Sequence, residues 1–166
     1  MGRATLLALL LGFASLPGTA RAQGVIGTIL ARANVLNPIT VTGQRSIQFG
    51  NVLPGVPKTI SPGPTASGRF LVLGRMDTGV MMSFTLPTEL TGPGVLPIGN
   101  WTGIWYTDNL PAHPSAVSFT PSGAPTLAAF GSVGRIFTWV GATVFPTASQ
   151  ATGLYSGTVL LTVNYY

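Results

Sequence analysis

Hydrophobic and polar residues alternate along the last twelve residues of the chain, YSGTVLLTVNYY. Alternation with a period of two is typical of a half-buried β-strand, because successive side chains point to opposite faces. The apolar register predicts that one set of side chains faces a core: Tyr155, Val159, Leu161, Val163 and Tyr165. Since no later strand follows in the sequence, we expect this strand to lie at the edge of a sheet.

A second alternating segment, VIGTILARANV, lies near the N-terminus. Its odd positions form a small, apolar, charge-free face, and they are Val25, Gly27, Ile29, Ala31, Ala33 and Val35. Arg32 and Asn34 lie on the opposite face. The segment is predicted to be a strand with no obvious partner beside it in the sequence, and an unpaired edge is a template for another chain.

Short runs of β-branched and aromatic residues fill the rest of the chain, and 22 glycines and 14 prolines separate them. This punctuation is typical of many short strands joined by turns. Strands are expected at about residues 26–36, 39–41, 46–49, 69–74, 80–86, 104–106, 116–120, 134–140 and 155–165. The pattern predicts a single all-β domain built as a β-sandwich.

The first 22 residues are interpreted as a signal peptide. Arg3 precedes an apolar, leucine-rich stretch, and Ala20-Arg21-Ala22 forms a small-x-small cleavage site. We therefore expect export, with a mature chain that begins at Gln23. The apolar stretch is shorter than the ~20 residues of a transmembrane helix, so no transmembrane helix is predicted.

Charge is sparse in the mature chain, where six basic residues stand against three acidic ones. The basic residues are scattered, so no nucleic-acid partner is expected. Cysteine is absent, and stability must come from the core, from association or from both. Charged residues make up 7% of the chain, which indicates that much of the surface is covered by a partner.

Residues that carry catalytic or metal chemistry are few. His113 is the one histidine, and the acids Asp77, Glu89 and Asp108 are far apart in sequence. An active site usually needs several convergent titratable groups, so neither an enzyme nor a cofactor or metal is expected. Trp101, Trp105 and Tyr106 form the one cluster suited to a ligand or an interface, although the two tryptophans are better explained as core residues.

The two ends of the mature chain resemble bacterial secreted domains related to spore coat protein U and to chaperone-usher pilins. The residues that carry this resemblance are NPITVTGQRSIQFGNVLPG near the start and GLYSGTVLLTVNYY at the end. Pilin subunits typically have a penultimate tyrosine and a glycine fourteenth from the C-terminus, which are Tyr165 and Gly153 here. The absence of cysteine and the stretch NWTGIWYTDNLPAHP depart from the pilin pattern.

This resemblance implies an immunoglobulin-like sandwich that lacks its last strand. A periplasmic chaperone, associated with an outer-membrane usher, would first fill the gap, and the N-terminal strand of another copy would then replace it. The implied organisation is a signal peptide (1–22), a donor strand (23–36) and a pilin-like domain (37–166). Gly27 would be the donor residue that occupies a shallow part of the groove.

Two functions follow from this organisation. The first is a structural subunit of an extracellular filament or surface coat, which polymerises head to tail by strand exchange. The alternative is a monomeric secreted adhesin or carbohydrate-binding sandwich, in which the N-terminal strand folds onto its own sheet. The two share a fold and differ in whose strand fills the groove.

Overall fold

A computed structural model describes Leu30, Arg32 and residues 37–166. In this part of the chain the structure is all-β, without a helix, which confirms the predicted class. The strands are β1 (Thr40–Arg45), β2 (Lys58–Ile60), β3 (Gly68–Leu73), β4 (Gly79–Thr85), β5 (Glu89–Thr91), β6 (Val95–Tyr106), β7 (Val117–Phe119), β8 (Thr126–Ala129), β9 (Arg135–Val144) and β10 (Leu160–Tyr165).

The larger sheet has seven strands, and its main path is β1-β3-β9-β6-β5. β9 is central: it pairs with β3 and β2 along one side and with β6 along the other. β5 and β7 pair with the two ends of β6. Every pairing is antiparallel.

The smaller sheet has three strands in the order β10-β4-β8. β10 pairs with β4 from Leu160 opposite Thr85 to Tyr165 opposite Val80. Within residues 37–166, no strand pairs with the other side of β10. The expected edge strand is therefore present at the C-terminus.

The two sheets share an apolar core, an arrangement consistent with a β-sandwich. One cluster joins Val72 and Ile136 of the larger sheet to Val80 and Met82 of the smaller one. A second cluster contains Leu90, Leu96, Ile98, Trp101, Val140, Ala142 and Val144. The predicted inward residues of β10 pack on the first cluster through Leu161, Val163 and Tyr165, while Tyr155 and Val159 pack on the second.

Several predicted strands differ from those observed. Residues 46–49 lie outside the strands, and residues 155–159 make only an isolated bridge, so β10 is shorter than expected. β2, β5, β8 and residues 95–103 of β6 were not predicted. β2, β5 and β8 are three or four residues long, too short to show a period of two.

Some predictions concern residues outside the described part of the chain. These are the signal peptide, the cleavage before Gln23, the strand at 26–36 apart from Leu30 and Arg32, and the proposed donor residues Val25, Gly27, Ile29, Ala31, Ala33 and Val35.

Candidate functional site

A groove of about 1120 Å³ opens between two segments that flank the core. One lip is formed by residues 43–52, which continue from β1, and the other by residues 150–159, which lead into β10. The first segment leads from β1 to β2 within the larger sheet, whereas the second leads from β9 of the larger sheet to β10 of the smaller one. The groove lies beside the end of β1 and beside the segment that leads into β10, and none of residues 160–165 lines it.

The floor of this groove is made of core side chains from both β6 and β9. Leu96, Ile98 and Trp101 come from β6, and Val140 and Val144 from β9. Trp101 shares a face with Leu96 and Ile98 because the pairing of β6 with β9 shifts between Gly99 and Thr102. The bulge inserts one extra residue into β6, so the alternation changes phase there. Odd-numbered residues after the bulge face the side that even-numbered residues face before it. The floor offers apolar contacts to anything that lies along it.

The first lip leaves the ladder after the register shift between Gly43 and Arg45. Ile47, Phe49 and Val52 are partly buried against the core. The Arg45 guanidinium anchors the lip, since its Nε donates to the carbonyl of Ser67 at 2.7 Å and its Nη2 to that of Gly63 at 2.8 Å.

Arg45 is also the one described residue with a clear change in pKa. Desolvation by burial, and secondly the positive charge of Arg69, lower the pKa of the Arg45 guanidinium. A guanidinium stays protonated in proteins. Arg45 therefore remains a donor that fixes the lip to the neighbouring loop.

The second lip is held by a polar network around Tyr155. Gln150 Nε2 donates to the Tyr155 hydroxyl at 2.7 Å and to the Val95 carbonyl at 3.1 Å. The Tyr155 hydroxyl donates in turn to the Ala151 carbonyl at 2.8 Å. Ser156 and Thr91 exchange two backbone hydrogen bonds, which ties this lip to β5. Tyr155 was predicted to face inward, and the structure adds that its hydroxyl braces the lip.

Gly153 lies on the same lip, and the structure gives a local reason for a glycine. Its φ is 151°, a region that side-chain-bearing residues rarely occupy, and a Cβ there would overlap Pro93 Cγ. Gly153 and Tyr165, the two residues of the predicted assembly motif, lie at opposite ends of the domain.

Tyr165 does not line the groove but fixes the opposite end of the domain. Its hydroxyl donates to the Asn37 carbonyl at 2.8 Å and accepts the backbone N–H of Arg75, also at 2.8 Å. Its ring packs beside that of Phe130, with centroids 6.2 Å apart. We call this end of the domain the closed end, and it is formed by Asn37, Tyr165 and the turns at 74–78 and 130–134. We call the other end the open end, and it is formed by the loops at 51–57, 92–95 and 145–154.

The predicted aromatic cluster is divided by the structure. Trp101 is 6% exposed and lies in the core, and Trp105 packs on the other core cluster. The Tyr106 ring stacks on the His113 ring, with centroids 4.2 Å apart, and the Tyr106 hydroxyl lies 3.2 Å from His113 Nε2. The stacked pair joins β6 to the loop at 107–116. Trp101 alone of this cluster lines the groove.

Sequence reasoning missed two features. The first is the lip at 46–52, which was expected to be a strand or a turn. The second is Trp139, which is fully buried although it lies on the face of β9 opposite to Val140. The available signal was the unbroken run IFTWVGATV, because a strand buried on both faces shows no polar alternation.

The chemistry of the groove is that of backbone and apolar groups. An edge strand presents unpaired backbone N–H and C=O groups, and the floor offers pockets to alternate side chains. Among the described residues, no group of three His, Asp or Glu side chains comes together as a metal site would require. The described residues also include no helix long and apolar enough to cross a membrane.

Comparison with known proteins gives no further guide to this site. No family model matches the chain, and no curated protein or solved structure matches it.

Proposed function

We propose that this protein is a structural subunit of an extracellular bacterial filament or surface coat. Residues 25–35 of one copy enter the groove of the next copy and complete an immunoglobulin-like, pilin-like sandwich. The observation that carries this proposal is the groove itself, which lies beside the segment leading into the unpaired edge strand β10 and has a floor of core side chains.

The donor face matches the chemistry of the groove. Val25, Ile29 and Val35 would lie against apolar floor residues, and each buried side chain contributes ~1.5 to 3 kcal/mol. Backbone hydrogen bonds to β10 add ~0.5 to 1.5 kcal/mol each. Gly27 would need the least space, which suits a position above the large indole of Trp101. Strand addition of this kind gains affinity from the backbone and specificity from alternate side chains.

Strand donation from each copy to the next does not form a closed ring, so its product is a fibre. A head-to-tail contact whose rotation does not close generates an open filament. The protein would leave the cell through the export signal predicted at residues 1–22. A periplasmic chaperone would cover the groove until the usher in the outer membrane exchanges it for the next subunit.

The decisive experiment tests the donor strand and the acceptor groove independently of each other. Deletion of residues 23–31 should abolish polymers and leave an unstable subunit with an empty groove. A synthetic peptide of residues 23–36 should bind this subunit and restore a stable monomer, whereas the same peptide with Ile29→Asp should not. Filaments formed by the deletion variant would remove the proposal and favour the monomeric adhesin.

A further inference from the structure

We infer that neighbouring subunits also touch through a second interface, between an apolar patch at the open end of one copy and an apolar patch at the closed end of the next. This inference rests on the proposed function, because it uses the donated strand to bring the two ends together.

The open-end patch is made of five exposed hydrophobic side chains on three loops. They are Leu53, Val56, Val95, Phe145 and Leu154. Hydrogen bonds hold these loops together: Gly55 N–H donates to Thr147 O at 2.9 Å, and Phe145 N–H to Pro97 O at 2.9 Å. Large contiguous apolar patches are rare on soluble monomers and mark interaction sites, and exposed apolar side chains grouped on neighbouring loops are candidates for such a site.

The closed-end patch has three apolar members, Leu73, Met76 and Val133, all of them exposed. The exposed Arg75 and Asp77 flank Met76 in the same turn. The two turns that carry them are joined, since Gly74 N–H donates to Gly134 O at 3.0 Å. Asn37, from which the N-terminal segment leaves the domain, is bound to Tyr165 at this same end.

The closed end determines the direction of the donated strand. Toward the closed end the groove lining stops at Gly43 and Val159; beyond them the acceptor's own β1 and β10 contact each other, and Asn37 is bound to Tyr165. The donated strand must therefore connect to its own domain at the open end of the acceptor. Because β10 runs from the open end toward the closed end, the donated strand runs antiparallel to β10.

This direction places the two patches against each other. One residue, Leu36, separates Val35 of the donor face from Asn37 at the donor's own closed end. Two residue steps span at most about 7 Å of extended chain. The donor's closed end therefore lies directly on the acceptor's open end, and a second copy of this chain is the occupant that buries both patches.

The test uses substitutions that leave the groove intact. Leu53 is 68% exposed and does not line the groove, and Val133 is 67% exposed at the closed end. Leu53→Glu and Val133→Glu should each raise the protein concentration needed for half-polymerisation at least about tenfold, because an apolar contact would have to bury a charge. Sedimentation of the exported protein over a concentration series measures this value.

Leu127→Glu is the matched control. Leu127 is 60% exposed, but it lies within β8, at neither end. Its substitution should change the half-polymerisation concentration by less than about twofold. Peptide 23–36 should bind the deletion subunit with unchanged affinity when that subunit carries Leu53→Glu.

The outcomes separate this inference from the proposed function. If Leu53→Glu and Val133→Glu polymerise like the unaltered protein, the end contact does not exist, although strand donation stands. If Leu53→Glu also weakens peptide binding, it acts through the groove and the end contact is again wrong. If the unaltered protein neither binds the peptide nor polymerises, both proposals fall.

Discussion

The hydroxyl of Tyr165 donates a hydrogen bond to the carbonyl of Asn37, a residue 128 positions earlier in the chain, at 2.8 Å. The same hydroxyl accepts the N–H of Arg75. One side chain at the end of β10 thus fixes the point at which the N-terminal segment enters the domain. It also holds the turn after β3. The closed end of the domain is thus fixed by two hydrogen bonds that one hydroxyl makes with distant parts of the chain.

Tyr165→Phe should therefore destabilise the domain by about 1 to 3 kcal/mol, because two backbone groups lose their partner while the ring packing on Phe130 is kept. Denaturant unfolding followed by tryptophan fluorescence measures this change. Tyr166→Phe is the control, since Tyr166 is 71% exposed, and its effect should stay below about 0.5 kcal/mol. Equal effects of the two substitutions would contradict a specific role for the Tyr165 hydroxyl.

Gly153→Ala should cost about 1 to 3 kcal/mol of stability, because φ is strained for alanine and the new methyl group would overlap Pro93. Gly94→Ala is a matched control on the facing loop, where a Cβ would meet the Tyr155 hydroxyl at an ordinary 3.6 Å. Thermal unfolding of both variants measures the difference. A Gly94→Ala variant as unstable as Gly153→Ala would show that this region tolerates no added methyl group at all.

Charges introduced on the two faces of the C-terminal segment should have unequal effects. Val159→Asp and Leu161→Asp should prevent folded protein from accumulating, because each of these side chains packs on a core cluster. Thr158→Asp and Thr162→Asp, on the exposed face, should accumulate normally. Soluble yield and circular dichroism measure these effects. If the threonine substitutions lowered the yield of folded protein more than the Val159 and Leu161 substitutions, the register of the segment would be wrong by one residue.

Charges introduced on the two faces of the donor segment should also have unequal effects, but on polymerisation rather than on folding. Ile29→Asp puts a charge on the face proposed to enter the neighbouring groove and should reduce the polymer fraction at least about tenfold. Leu30→Asp alters the adjacent side chain, which is 75% exposed, and should leave polymerisation nearly unchanged. Electron microscopy and sedimentation of exported material measure both. If Leu30→Asp reduced polymerisation more than Ile29→Asp, the even-numbered face of the donor segment would be the face that enters the groove.

The local pattern of the sequence predicted the all-β class, most of β3, β4, β7 and β9, and the inward face of the C-terminal strand. These features depend on side-chain alternation and on turn residues, which are properties of neighbours in the chain. The residues Leu161, Val163 and Tyr165 pack on the core in the predicted register. The core position of Trp101 was one of two interpretations, and the structure decided between them.

Tertiary structure alone decided the groove, because a groove requires two segments more than a hundred residues apart to approach without pairing. Residues 46–49 alternate like a strand, yet the register shift after Gly43 takes them out of the ladder. Residues 155–159 alternate equally well, yet Ser156 bonds to Thr91 of the other sheet. Periodicity shows which face of a segment is apolar, whereas the partner of that segment depends on the packing of the whole chain. The gap between residues 43–52 and residues 150–159 could therefore be seen only in three dimensions.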